Sequence, residues 1–183
     1  VLDAAFTLIV EHGYAAATME AIAREAGLAK TVVYNAYPRR GPLLKALLER
    51  ETLRALRMLA SERPAPGSDP NAVLVAWVEH AARAIAEHPS LWRLVLAPTE
   101  GTPPAVRSAV EMGRALVLAR IRELIGPFIA ARPKLASIDP DLMARSMLAI
   151  SEQGALLLLE QPEQYPVERV VQFARDFLAA LAG

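Results

Sequence analysis

The chain has 183 residues, 54% of them hydrophobic, and 20 basic against 20 acidic side chains, a formal net charge of zero. That length and apolar content provide for a substantial core and exclude a disordered chain, and the charge balance excludes a uniformly basic nucleic-acid binder. Cysteine is absent, which removes disulfides and thiolate metal sites and agrees with a reducing cytosol; no uncharged run nears the roughly 20 residues that span a bilayer, and no signal-peptide pattern opens the chain.

Taken in chain order, the spacing predicts helix nearly everywhere. Leu2, Ala5, Phe6, Ile9 and Val10 mark the buried face of a first helix that His12-Gly13-Tyr14 stops. Thr18 is a good N-cap for a second, with Met19, Ile22, Ala23 and Ala26 on one face. Gly27 ends it where positive φ is needed, and Leu28 is expected to plug into the core beneath the turn. A third helix of about two turns, Lys30 to Ala36, sets Lys30, Thr31, Tyr34 and Asn35 outward and Val33 and Tyr37 inward. Two short helices about a tight turn, followed by a longer one, are the grammar of a helix-turn-helix DNA reader. From Arg24 to Lys45 the basic residues Arg24, Lys30, Arg39, Arg40 and Lys45 face only Glu25, so a basic footprint is local even though the whole chain is neutral.

Beyond the reader, Leu44, Leu48, Ala55, Leu56 and Leu59 trace a long amphipathic helix, a lever between lobes, with Arg50, Arg54 and Arg57 on another side. Glu62 to Pro70, containing Pro64, Pro66, Gly67 and Ser68, reads as a surface loop. Asp69-Pro70 then opens a helix with the stripe Val73, Trp77, His80, Ala81, Ala84 and His88, closed by Pro89. Ser90 caps a short helix containing Leu91, Trp92, Leu94, Val95 and Leu96 that Pro98 and Gly101 end. Pro103-Pro104 introduce a long one to about Arg132, which Gly126-Pro127 should kink or break. Asp139-Pro140 starts a helix to about Glu160. Tyr165-Pro166 precedes a last one carrying Val167, Val170, Val171, Ala174, Phe177, Leu178 and Leu181. The expected fold is all-α, an N-terminal three-helix reader at 1–46 followed by a larger helical effector-binding and dimerisation lobe at 47–183.

The run Ala4-Ala5, Leu8-Ile9, Glu11, Gly13-Tyr14, Thr18, Ile22-Ala23, Ala26-Gly27-Leu28, Tyr34, Tyr37, Arg40 and Leu43-Leu44 resembles the DNA-binding region of TetR (tetracycline-repressor) family regulators. The resemblance covers roughly the first quarter of the chain. Four positions depart from the pattern: Ala29 stands where the family usually has a capping serine, Tyr37 where it has phenylalanine, Arg40 where it has lysine, and Gly41 where it has an acidic residue. Loss of the serine cap removes about 1 kcal/mol. The resemblance also implies a short basic arm before Val1, and pairing of the last two helices with those of a second copy in a four-helix bundle.

The candidate DNA contacts are Thr18, Lys30, Thr31, Val32, Tyr34, Asn35, Tyr37, Arg39 and Arg40. Lys30 can reach a phosphate or a guanine edge, Thr31 and Asn35 can address base edges, and Val32 a thymine methyl. The remaining five suit the phosphate backbone. The alternative for Tyr34 and Tyr37 is partial core burial with solvated hydroxyls, an even choice for Tyr37 but not for Tyr34. For Arg39 and Arg40 it is an ordinary surface charge pair, against which their place just before a helix and beside the recognition helix favours phosphate. The large lobe offers Trp77, His80, Trp92, Met112, Leu116, Phe128 and Met147, a set that could line an apolar small-molecule pocket or simply fill a core; His80 is either a polar anchor there or a core histidine. Leu156 to Leu159 put apolar side chains all round one helix, which calls for cover on more than one side. A dimer interface including Gly154, Leu157, Leu158, Val170, Ala174, Phe177 and Leu178 supplies it, and so would a central core position in a monomer.

No catalytic or metal-binding motif is present: His12, His80 and His88 lack partners at ligand spacing, and no phosphate loop or nucleophile elbow occurs. No cofactor is implied. These readings point to a cytoplasmic, ligand-responsive regulator, with repression the expected direction, that binds a palindromic double-stranded operator as a homodimer, responds to a small apolar or amphipathic effector and makes no use of a membrane. The alternative is a helical small-molecule-binding or enzymatic module whose reader no longer binds DNA, favoured by Ala29 and Gly41.

Overall fold

Helix follows helix along the chain because its start signals are strong and well spaced. The structure, a computed structural model, describes residues 1–60, 65, 67–96 and 104–182. The described residues form α1 (Leu2–His12), α2 (Met19–Glu25), α3 (Lys30–Ala36), α4 (Arg40–Leu59), α5 (Pro70–Glu87), α6 (Pro89–Leu96), α7 (Pro104–Ala130), α8 (Pro140–Glu160) and α9 (Val167–Ala182), with single 3-10 turns at Tyr14–Ala16 and Pro133–Leu135. No strand occurs among them, and the fold is all-α. The loop residues Glu62, Pro64 and Pro66, the helix-ending Pro98 and Gly101, and Pro103, expected to introduce the next helix, lie outside the described residues.

Capping follows the sequence closely. Thr18 Oγ1 accepts from the Ala21 N–H at 3.1 Å. The Asp69 carboxylate accepts from Asn71 and Ala72, and Asp139 Oδ1 accepts from Asp141 and Leu142, each with proline as the first helical residue. Gly13 and Gly27 carry φ of 79° and 64°, the left-handed region that ends α1 and α2 without a Cβ clash. Ser90, by contrast, is not a cap: α6 begins at Pro89, directly after His88 closes α5. Pro127 does not break α7 either. It stands one turn from the helix end, where one lost backbone bond is tolerable, and the fully buried Phe128 beside it anchors that turn.

The chain divides into two compact units. Unit 1 comprises Val1–Ala55 and Arg93–Gly113, so the functional division expected at residue 46 falls inside α4. Its core gathers Ala5, Leu8, Ile9, Ala17, Ile22, Ala23, Val33, Leu43, Leu44, Leu47 and Leu48, with Leu94 from α6. Two expected members face out: Leu28 and Val10 are exposed, and Leu8 takes the inward place on α1. Leu28 N bonds back to Ala23 O at 2.9 Å, so the turn is closed by backbone rather than by a leucine plug.

Two polar residues that periodicity does not flag are buried on α4. Glu51 is 1% exposed and takes Arg50 at 2.7 Å on Oε1, with Arg54 3.7 Å from its other oxygen; Arg50 also reaches Asp3 of α1 at 2.7 Å. Thr52 is buried beside Gly113, where an added Cβ would stand 3.0 Å from Thr52 Cγ2. Gly113 is thus the glycine that a close helix approach requires. The same Cβ at Gly154 would meet Val170 Cγ1 at an ordinary 3.6 Å.

Unit 2 comprises Leu56–Trp92 and Arg114–Gly183, and its core is built by Leu74, Val75, Trp77, Leu118, Ile121, Leu124, Ile125, Phe128, Leu135, Ala144, Leu148 and Leu178. Helices α8 and α9 both contact α5 and one another. The α5 stripe differs from expectation: Leu74, Val75, Trp77, Ala82, Ala84 and Ile85 are buried, whereas His80 and His88 face solvent. Helix α8 is long and apolar enough by composition to cross a membrane, at mean hydropathy 1.3, yet it is a member of this helical packing.

Candidate nucleic-acid interface and ligand cleft

Only one side chain of α3, Val33, is buried, while Lys30, Thr31, Val32, Tyr34 and Asn35 are exposed. The helix is held by one knob and offers the rest of its surface. Its N-terminal residue Ala29 makes no side-chain cap, as the sequence requires, and Val32 N closes on Ala29 O at 3.0 Å. Thr18 is exposed with its hydroxyl accepting from α2, which leaves the O–H proton to donate elsewhere. Tyr37 is half-buried against the unit 1 core and Arg39 is exposed.

Arg40 departs from a simple phosphate clamp. It is half-buried, its Nε donates to Ala17 O at 2.9 Å and its Nη2 donates to Tyr14 O, so the guanidinium ties the start of α4 to the turn that precedes α2. The carbonyl ends of that turn meet a cation whose planar fork matches them. The Tyr14 hydroxyl is buried and has no hydrogen-bond partner among the described residues; burial pushes its pKa up from 10.0 to about 12.

An acidic residue stands on the same surface. Glu20, in the first turn of α2, accepts the Tyr34 hydroxyl on Oε1 at 3.2 Å, and Lys30 Nζ lies 4.0 Å from that oxygen. Its carboxyl is held below the usual range by a bond to its own backbone N–H, then by Tyr34 and by Lys30, whereas Tyr34 is pushed up, chiefly by that same bond. Glu20 lies four residues before Arg24 in the chain, outside the basic stretch Arg24 to Lys45, yet the fold sets it against Lys30.

In unit 2 an open cleft of about 290 Å³ is lined by Leu56, Leu59, Ala60, Trp77, Leu116, Val117 and Arg120. Of the residues proposed for a pocket, Trp77 and Leu116 are there. Trp92 is instead buried with its Nε1 donating to Ala84 O at 3.1 Å, which caps the end of α5. His80 is exposed and its Nε2, 2.6 Å from Met58 O, must carry the proton. Met112 is exposed, and Met147 and Phe128 belong to the unit 2 core. Arg120, which no sequence signal singles out, is the cleft's charged residue, and its Nη1 donates to Glu123 at 2.9 Å. Trp77 Nε1 is buried and finds no partner among the described residues.

The residues expected at a dimer interface also divide. Leu158 and Leu178 are buried within the chain and belong to its interior, because α8 and α9 turn those faces inward. Leu157, Val170, Ala174 and Phe177 are half-buried, while Leu142 (63% exposed), Ile150 and Phe173 (56% exposed) face outward. Phe173 stacks on Phe177 with ring centroids 5.8 Å apart.

A short, exposed second helix behind a glycine turn, held on a three-helix core and joined to a larger helical unit, defines a helix-turn-helix DNA-binding protein. Residues 1–47 match the family model described as bacterial regulatory proteins, tetR family. That match covers the first quarter of the chain, so the chain carries a DNA-binding region of the tetR type. Solved structures share the whole fold. A TetR-like transcriptional regulator from Rhodococcus sp. RHA1 aligns with a TM-score of 0.73 at 23% identity, over 100% of this chain and 93% of that one. The fatty acid degradation regulator FadR from Bacillus halodurans aligns at 0.76 and 18% identity, over 97% and 91%. The TetR family transcriptional regulator PfmR from Thermus thermophilus aligns at 0.68 and 20% identity, over 99% and 92%. No curated protein sequence matches the chain.

Proposed function

We propose that the chain acts in the cytoplasm as a homodimeric repressor on a palindromic operator, and that a small apolar or amphipathic molecule bound in the unit 2 cleft releases it. The observation that carries the DNA role is α3 itself: one buried valine, and a continuous exposed surface of Lys30, Thr31, Val32, Tyr34 and Asn35. Thr31 and Asn35, one turn apart, address base edges and Val32 a thymine methyl. Lys30, Thr18, Tyr34, Tyr37 and Arg39 serve the backbone, and Arg40 contributes the donors its internal bonds leave over. Two such helices enter successive major grooves about 34 Å apart.

Dimerisation is supported by α8 and α9. Leu142, Ile150 and Leu157 recur at eight and seven residues along one face of α8, and only 28% of its apolar window is buried in the chain. With Phe173 and Phe177 they make a surface that a second copy would cover. For the effector, six apolar residues and one arginine suit a molecule with an apolar body and an anionic or hydrogen-bond-accepting end. Such a ligand shifts DNA affinity only by its difference in affinity for the two conformations.

Selection of bound duplexes from a random pool, followed by a gel-shift titration, tests the DNA role; enrichment of an inverted repeat is the expected result, and no enrichment at any salt concentration refutes it. For the cleft, a Trp92→Phe variant leaves Trp77 as the lone tryptophan reporter. Effectors should change its emission and release the selected duplex together.

A further inference from the structure

The surface of α3 is not free in the unbound protein. Two of its phosphate-seeking groups, the Tyr34 hydroxyl and the Lys30 ammonium, converge on one oxygen, Oε1 of Glu20, at 3.2 and 4.0 Å. All three side chains are well exposed: Lys30 by 65%, Glu20 by 50% and Tyr34 by 41%. Their placement therefore owes little to core packing, and duplex approaching α3 meets the cluster directly. An ionised carboxylate there has the charge and the acceptor character of a phosphate oxygen, and it holds the same donors.

We propose that Glu20 is a positioning residue that stands in for a DNA phosphate in the free protein, so that duplex must displace it from Lys30 and Tyr34 before backbone contact is complete. This rests on the reading of α3 as the DNA-contacting helix. Glu20 stays ionised across the working pH range because its own N–H and the two donors hold its carboxyl below the usual value. The displaced carboxylate also remains close to the backbone, where it opposes the phosphates. Both effects subtract from affinity for any duplex, and neither depends on base sequence. Glu20 thereby lowers sequence-independent binding and leaves the base contacts of Thr31 and Asn35 to decide where the protein stays.

The test needs no operator. Binding of the full chain to a fluorescein-labelled duplex of arbitrary mixed sequence, about two helical turns long, is followed by anisotropy between about 0.05 and 0.2 M salt. Glu20→Gln, nearly isosteric, should tighten binding by up to about eight-fold at roughly 0.1 M salt and steepen the plot of log affinity against log salt by about 0.9, the counterion term of one phosphate. In a Lys30→Gln background the same change should gain distinctly less, because one of the two donors to be released is gone and only Tyr34 and the repulsion of the carboxylate remain. Glu20→Ala should repeat the Gln result.

Unchanged affinity and slope in both Glu20 variants overturn the proposal, and so does tightening without a steeper slope. An undiminished gain in the Lys30→Gln background overturns it too, since Glu20 would then act by bare repulsion. Failure of the unmodified chain to bind the duplex even at the lowest salt overturns the DNA-binding reading instead, which keeps the two failures apart.

Discussion

Arg40→Ala separates an anchor from a phosphate clamp. In the structure the guanidinium donates Nε to Ala17 O at 2.9 Å and Nη2 to Tyr14 O, joining residues 23 and 26 positions apart. Hydrogen bonds to a charged group contribute about 1.5–3 kcal/mol each. Arg40 is only half-buried, so water competes for both partners, and about 2 kcal/mol for the pair is the expected loss. For a chain of this length that lowers the melting midpoint by roughly 4–8 °C, measured by circular dichroism. Lysine keeps the charge but presents a single ammonium to two carbonyls, so Arg40→Lys should recover less than half of the lost stability. A phosphate clamp behaves otherwise: Ala leaves the melt untouched and flattens the salt dependence by about one unit, while Lys restores DNA binding. An unchanged melting midpoint for Arg40→Ala refutes the anchor.

Tyr14 gives a pH signature. Its pKa lies at about 12 in the folded chain against 10.0 ordinarily, so the stability it supports is complete below pH 10 and is lost as pH rises through 12, by about 2–3 kcal/mol. Chemical denaturation across that window should show the loss, and Tyr14→Phe, which removes an unpartnered hydroxyl, should flatten it without lowering stability at neutral pH. Gly113→Ala places a methyl 3.0 Å from Thr52 Cγ2 and should cost about 1 kcal/mol net, overpacking outweighing the gain in helix propensity. In a Thr52→Ser background, which lacks that methyl, the same substitution should become stabilising. Phe173→Glu should halve the mass seen by sedimentation, from near twice 19.8 kDa, while retaining the helical melt. Leu178→Glu, at a site 1% exposed, should unfold unit 2, and a folded monomer from that variant would contradict its place in the core.

What the sequence makes legible here is what acts over one helical turn. Thr18 bonds to the N–H three residues on, Asp69 and Asp139 to those two and three on, and Gly27 relieves its own Cβ; each is a local arrangement between neighbours, readable without a partner elsewhere. The same locality makes Val33 inward and its neighbours outward, so the reader helix is legible as a surface. Side chains that act across the fold are not. Periodicity puts His80 on the stripe with Trp77, but the apolar face of α5 is centred on Leu74, Val75 and Trp77, which turns His80 out to the Met58 carbonyl. Glycine spacing alone cannot say that Gly113 faces Thr52 closely while Gly154 has room, because that depends on which helix lies opposite.

The charge on the reader makes the same point in functional terms. Counting from Arg24 gives a basic footprint, yet Arg40 commits its guanidinium to two carbonyls and Lys30 is met by an acid ten positions upstream. Formal charge along a segment overstates what DNA can meet when the fold supplies its own acceptors first. With Arg40 held as an anchor by the Tyr14–Ala17 turn, the electrostatic part of binding, under the proposal for Glu20, turns less on the number of cations on α3 and its flanks than on how readily Glu20 gives up Lys30.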